Sequence, residues 1–494
     1  MREVFRDGEA VVERLARGVP LRSALVVADT EGWLALDAGV RQVAWNLPKQ
    51  LPAWEHAAPL PADLAGLDEA RLTLALCHRD GRVREAAIAR AARRPELLPL
   101  IVIRCTDWVG PVRERARELL RAALHADPEG AVDLAPLILR VGRRDRGSFG
   151  IELLGEVLVG APPGQRTGQR TGLLAELLAG PDRAVRRFAC RLAVEHRLIG
   201  PAELARTAAR DEDAVVQDLC ATAALTSLAA LPSSASLAPL DEAGSLDAVL
   251  TPLLTARAPR VRSAGVTALR RADRAEQAQT FLDDRSALVR ACARYVVRQV
   301  GGDPTAWYRE RCATEDTDLA PGAVIGLAEC GDRSDGARLW SLLAHPAPGV
   351  RARAVAGLRT LDLADAARLA HLLDDPSPAV VRETAAALLP SARQLPVDRL
   401  LERTGPERPR HTRVAAFRLL SAHGGVVALR AAAGLLDDPD VKLRIWAGQY
   451  AQSWHASPDV RPGDAEVGTL FDRCRHLFSD YVLQRRKRAA GLDG

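Results

Sequence analysis

Asp374-Asp375-Pro376-Ser377-Pro378-Ala379-Val380-Val381-Arg382-Glu383 sets a short polar corner against the start of an alanine-rich amphipathic helix. Proline is tolerated there because the first helical turn has no intrahelical acceptor for its missing N–H, and a corner aspartate can accept hydrogen bonds from the free amides of that turn. The same phrase runs from Asp284 to Arg290 and from Asp438 to Arg444, and in weaker form from Asp80 to Arg84 and from Asp182 to Arg186. In the C-terminal half its arginines fall at Arg290, Arg351, Arg382, Arg413 and Arg444, the last four spaced by 31 residues. A fixed period of this length marks stacked helix pairs rather than one globular core.

The composition suits that reading. Of the 494 residues, 48% are hydrophobic but only 4% aromatic, and small aliphatic side chains let helix pairs pack closely. No apolar run approaches the roughly 18–20 residues that span a bilayer, and the charged start Met1-Arg2-Glu3-Val4-Phe5-Arg6-Asp7 lacks a signal peptide's apolar stretch. A cytoplasmic protein without membrane contact is the expectation. The eight cysteines never form Cys-x-x-Cys, so neither a metal centre nor a redox pair is signalled, and no cofactor is expected. Net charge is only +5, carried almost wholly by arginine, with lysine at Lys49, Lys442 and Lys487 alone. Arginine is the better residue for bidentate contacts to carboxylate or phosphate, although a GC-rich genome favours it too.

Residues 1–66 do not carry the phrase; with Trp33, Trp45, Trp54 and prolines at Pro48, Pro52, Pro59 and Pro61 they read as an N-terminal helical cap. Helix pairs follow over 67–458, the first from Leu67 to Arg94 and the next pairing Leu97–Arg104 with Val112–Leu124. Irregular loops are expected near 141–172 and 231–244, where apolar periodicity fails and Gly, Ser or Pro accumulate. Residues 459–494 read as a C-terminal cap, with one amphipathic helix from Thr469 to Arg488 and a basic tail.

On these phrases, and on strings such as Val350-Arg351-Ala352-Arg353-Ala354-Val355-Ala356-Gly357-Leu358, the chain resembles HEAT-repeat proteins, including the short bacterial variety described as phycobilisome-lyase-like. The resemblance covers about four fifths of the chain. It implies an all-α, right-handed solenoid of about a dozen helix pairs, and a hydrogen-bonded ladder of corner aspartates and helix-start arginines. By that resemblance Asp80, Arg84, Asp284, Arg290, Asp375, Arg382, Asp438 and Arg444 are structural. It does not fix a function, because the same fold hosts scaffolds, transport receptors, lyases, hydroxylases and DNA glycosylases.

The chemistry-bearing motifs are sparse. Glu55-His56 and Glu195-His196 reverse the His-Glu order with which deoxyhypusine hydroxylase holds iron, and His78-Arg79-Asp80 mimics a kinase catalytic loop without the phosphate and magnesium motifs that must accompany it. Asp107-Trp108 echoes the HEAT-like glycosylases but lacks their denser Trp-Asp pattern; Asp107 as a helix cap beside a packed Trp108 is the plainer reading. Trp446, Tyr450 and Trp454, at i, i+4 and i+8, share a helix face and either anchor a partner or close the C-terminal end against Phe471, Phe478 and Tyr481. Arg143, Arg144, Arg146, Arg166 and Arg170, with Arg140, Arg186 and Arg187 nearby, supply an anion site if they converge, and ordinary solvated charge if Asp145, Glu152, Glu156, Glu176 and Asp182 neutralise them. The expected function is a non-catalytic scaffold that binds a protein partner on a concave surface; the alternative is nucleic-acid binding.

Overall fold

The structure, a computed structural model, describes residues 2–26, 29–41, 53–57, 59–61, 63–64, 66–160, 167–229, 241–313, 317–458 and 460–492. Among them all regular structure is helical. Trp45, Pro48, Pro52 and Arg166 lie outside the described residues. The chain forms two compact units, Met1–Val261 and Arg262–Gly494.

In the first unit Arg2–Ala16 packs along Thr30–Arg41, and the pair covers Glu69–Cys77. The crossing is close because two glycines meet there. A Cβ on Gly8 would stand 2.3 Å from the Ala35 carbonyl oxygen, and one on Gly39 2.9 Å from the backbone of Gly8. Trp33, Leu15 and Leu36 fill the space beneath. Helix pairs follow: Glu69–Cys77 with Gly81–Ala91, Leu98–Arg104 with Gly110–Ala126, Gly130–Val141 with Ser148–Val159, Thr167–Ala179 with Arg183–Glu195, and Pro201–Arg210 with Ala214–Ala229. Each second helix turns one stripe inward. Val112, Ala116, Leu120 and Leu124 recur every four residues on Gly110–Ala126, and all are at most 1% exposed. Burying each leucine of such a stripe contributes roughly 1.5–3 kcal/mol.

The second unit repeats the pattern with shorter first helices, one of them 3₁₀ and two continued by 3₁₀ turns: Ala275–Phe281 before Ala287–Gln299, Pro304–Arg311 before Pro321–Cys330, Gly336–Ser341 before Pro348–Thr360, Ala366–Leu369 before Pro378–Leu388, Val397–Glu402 before Arg410–His423, and Gly425–Gly434 before Val441–Ser453. Proline opens three of these second helices, at Pro321, Pro348 and Pro378, where its fixed φ suits the first turn.

Three stretches differ from their sequence reading. The irregular stretch expected near 141–172 holds helix Ser148–Val159 and the start of helix Thr167–Ala179, and helix Asp241–Thr255 takes in the end of the 231–244 spacer. The buried Leu173, Leu174 and Leu177 continue one face that carries helix Thr167–Ala179 back to its start. The expected single helix Thr469–Arg488 is two, Ala465–Arg473 and Asp480–Ala489. Phe478 turns extended, with φ −126° and ψ 152°, to set its ring 6.2 Å from Phe471, and Ser479 then caps a fresh helix by accepting from the Val482 amide. The half-buried Phe478 ring gains an edge contact at the break between the two helices.

Candidate functional site

The corners are built by one rule. An arginine as the fourth residue of a second helix commonly reaches back to the carbonyls of its own corner, and Arg84, Arg186, Arg262, Arg351 and Arg413 also reach forward to the aspartate of the next; Arg113 bonds Asp107 O and pairs with Glu114 instead. Arg84 donates to His78 O at 2.7 Å and Arg79 O at 2.9 Å, and its Nε and Nη2 grip Asp107 at 2.9 and 2.8 Å. Arg186 bonds Gly180 O and Pro181 O, and Asp211 at 2.8 Å. Arg262 takes Asp284 at 2.9 and 2.8 Å, and Arg351 takes Asp375 at 2.9 Å through both arms. Arg413 reaches Asp438 at 3.1 Å. Each aspartate stands three residues before its helix and uses the same carboxylate to accept the amide two residues on, from Val109, Asp213, Ser286, Ser377 and Asp440. A planar guanidinium fork matched to a carboxylate is the strong form of this contact. Aspartate occupies that corner position only where the preceding second helix carries arginine; behind Ile151, Val324 and Val381 the position holds Gly180, His345 and Glu407.

The ladder sorts the residues that the family resemblance marks as structural. Arg84, Asp284, Asp375 and Asp438 are in these rungs. Among the described residues Arg444 keeps only the backward bond, to Asp438 O. Arg290 bonds Asp284 O and turns to Glu329, which it shares with Arg294. Asp80 is a helix cap, accepting from Arg82 N, and not a rung. Arg382 is no rung either. Its neighbouring second helices begin at Pro348, Pro378, Arg410 and Val441, intervals of 30, 32 and 31, so a strict count of 31 lands it one residue late. One residue is about 100° around a helix. The inward slot is Val381, fully buried, while the Arg382 side chain is 66% exposed beside Glu383.

One corner carries more than a rung. Asp107 is gripped by Arg84 and also by Arg104 Nη1 at 3.1 Å, while Arg104 Nη2 bonds Asp37, which holds Arg41 at 2.9 Å. Arg104 is 1% exposed, and its Nε has no hydrogen-bond partner among the described residues. Trp108 follows directly and is 58% exposed, with the Arg84 and Arg41 guanidinium carbons 4.5 and 5.0 Å from its ring centre. Across from it stands the tight connection 142–147. Arg144 N bonds Val141 O, Gly147 N bonds Arg144 O, and Arg117 Nη2 holds Arg146 O at 3.1 Å. Arg146 is left-handed at φ 63°, and a Cβ on Gly147 would stand 2.6 Å from Gly142 O. These walls enclose a cleft of about 300 Å³ lined by Asp37, Arg41, Arg104, Trp108, Arg144 and Arg146, among others.

Of the residues expected to bind, the structure brings together Trp108, Arg144 and Arg146. Arg143 is exposed on the same connection but does not line the cleft. The side chain of Arg170 lies outside the described residues, though its backbone is in helix Thr167–Ala179. Arg140 pairs with Glu31, and Arg186 and Arg187 pair with Asp211 and Asp213. The aromatic triad packs inward: Trp446 and Tyr450 stand 4.5 and 6.0 Å from Phe417, Trp454 stands 5.6 Å from Phe471, and Trp454 Nε1 donates to Gly425 O. Tyr481, expected beneath it, is 76% exposed. The sequence reading missed Asp37, Arg41 and Arg104. A lone arginine closing the apolar run Leu98–Ile103 was the one available signal for Arg104, since such a charge is buried only with a partner.

Burial pushes the Cys77 thiol up, and Cys105 to about 12, so neither is a ready nucleophile. Cys190 and Cys220, buried on neighbouring helices, hold their sulfurs 2.8 Å apart. Burial works to raise Asp284 and Asp375, but Arg262 and Arg351 with the Ser286 and Ser377 amides hold both carboxyls below the usual range. No group of three or more His, Cys, Asp or Glu suited to a metal occurs among the described residues, and no described helix is long and apolar enough to cross a membrane.

Neither a protein-family profile nor a curated protein matches the sequence. Among solved structures the chain is similar to Kap121p, at 14% identity and TM-score 0.32, over 85% of this chain and 52% of that one. It is similar to Kap121p bound to Pho4p at 14% and 0.33, over 83% and 53%. An engineered protein matches at 15% and 0.18, over 85% of this chain and 97% of its own. The chain thus spans about half the length of Kap121p. At these identities and scores the likeness does not reach function.

Proposed function

We propose that the protein is a non-catalytic helical-repeat scaffold that binds a protein partner. The observation that supports this is Trp108: a tryptophan left 58% exposed, backed by two guanidinium groups and faced by arginines on a tightly bonded connection. Tryptophan and arginine are the side chains that most often carry interface energy, and they do so from positions fixed before binding. The charge distribution favours a local protein contact over a nucleic-acid track. Arg186, Arg187, Arg262, Arg309, Arg351, Arg403, Arg410, Arg413 and Arg430 already hold carboxylates of this chain, which spends the cations a phosphate row requires.

The test is in-cell photo-crosslinking, with a benzophenone amino acid replacing Arg143 beside the cleft or, as control, exposed Tyr481. A discrete protein adduct from the Arg143 position alone is the expected result. Adducts with nucleic acid only, or equal smears from both positions, overturn the reading.

A further inference from the structure

We propose that the cleft between Trp108 and the 142–147 connection recognises carboxylate side chains, so that the segment it takes from a protein partner is an acidic peptide. This rests on the protein-scaffold reading and adds the chemistry of what is bound.

The fold leaves charge around Trp108 that it does not neutralise. Arg41, Arg84, Arg104, Arg144 and Arg146 stand around Trp108, against the carboxylates of Asp37, Asp107 and Asp145. Asp37 and Asp107 are shared by Arg41, Arg84 and Arg104: the buried Arg84 and Arg104 balance the two carboxylates, and the half-buried Arg41 is one guanidinium beyond them. Arg144 and Arg146 add two cations against Asp145 alone, and neither makes an ion pair within 4 Å among the described residues. A second observation is independent of this count. Arg104, in the wall of the cleft and 1% exposed, keeps an Nε hydrogen with no acceptor among the described residues. A buried donor left unpaired costs free energy that an incoming oxygen recovers.

The backbone shows that the excess is held in place. Arg146 keeps a left-handed conformation uncommon for a residue with a side chain, and its carbonyl is pinned by Arg117. Carboxylates fit the arginine forks in two-point geometry, and the exposed Trp108 ring offers apolar area for the methylenes of glutamate or an adjoining side chain. A volume of about 300 Å³ admits one or two such side chains and excludes a folded domain.

The probe is a fluorescein-labelled peptide bearing six glutamates around one leucine, titrated by anisotropy with the full chain at low and physiological salt. Wild type is expected to bind, and Arg144→Glu with Arg146→Glu to weaken binding at least tenfold, with an unchanged thermal midpoint. Trp108→Ala should cost several-fold. Arg144→Lys with Arg146→Lys, which keeps the charge but loses the forks, should fall between wild type and the reversal. The control, Arg382→Glu with Arg485→Glu, makes the same charge change at two exposed positions and should bind as wild type does. Equal loss in both charge reversals, lysine variants indistinguishable from wild type, tighter binding of a same-length single-stranded oligonucleotide, or no binding at low salt overturns the inference. If it fails while the Arg143 crosslink persists, the scaffold stands and only the carboxylate preference falls; loss of that crosslink removes the scaffold itself.

Discussion

At Asp375 one carboxylate meets one guanidinium; at Asp107 one carboxylate meets two, and a tryptophan beside it stays in solvent. Both corners follow the same backbone plan, with the aspartate three residues before its helix. The difference is the second layer. In the first unit the N-terminal helix Thr30–Arg41 brings Asp37 and Arg41 against the corner, and Arg104 enters from the first helix of the pair. A rung whose charges balance only joins neighbours. One whose cations outnumber its acids has capacity left for something else.

The largest expected effect tests the doubled clamp. Asp107→Asn leaves Arg84 and Arg104 buried with one anion fewer and should destabilise the protein by about 3–5 kcal/mol in urea denaturation. A loss below about 1 kcal/mol would remove the distinction between the two corners. Next comes the plain rung. Arg351→Met should cost about 1–3 kcal/mol, because its partners are charged but partly wet, and Arg351→Met with Asp375→Asn should cost less than the two single losses together. Strict additivity would mean that the forked contact contributes nothing.

A smaller effect concerns pH. Asp284 and Asp375 titrate below their unfolded value of about 3.9, so the stability they lend is complete above about pH 4 and is lost as pH falls through their folded values. Asp375→Asn should therefore lower stability by a constant amount above pH 6 and flatten the acid limb below about pH 4; an unchanged limb sinks the assignment. The smallest effect is at the slipped position. Arg382→Ala should move stability by no more than about 0.5 kcal/mol, as for an ordinary surface site. A loss matching that of Arg351 would place Arg382 back in the ladder.

The repeat was legible in the sequence because it is written locally. Corner, proline and amphipathic stripe lie within one short stretch, and Arg84, Asp375 and Asp438 can be picked from it. What escaped was anything decided by register or by distant neighbours. Arg382 matches the count of 31 and misses the helix face by one residue. Arg104 meets Asp37 across 67 positions, and no periodicity links a cap helix to a repeat corner. Trp108, Arg144 and Arg146 were recognisable as individual residues. Their convergence depends on the fold, as does the inward packing of Trp446, Tyr450 and Trp454 on Phe417 and Phe471.

The missing rungs set where the array can yield. Behind Val381 the corner holds Glu407 and the buried fork is absent; the charge pair that crosses to the next helix pair is Arg403 on Asp374, on the first-helix side and with Asp374 partly in solvent. We infer that the second unit opens more readily at this seam, held by the partly solvated Arg403–Asp374 pair, than at the buried clamp of Arg351 on Asp375. Amide exchange in Arg410–His423 should then decouple from exchange in Pro348–Thr360, which Arg351 ties to the corner at Asp375; uniform protection across the seam would refute it. In mechanical terms the second unit behaves like a riveted strip in which a weaker rivet decides the line of bending, and a partner that grips both sides of such a line would stiffen that unit.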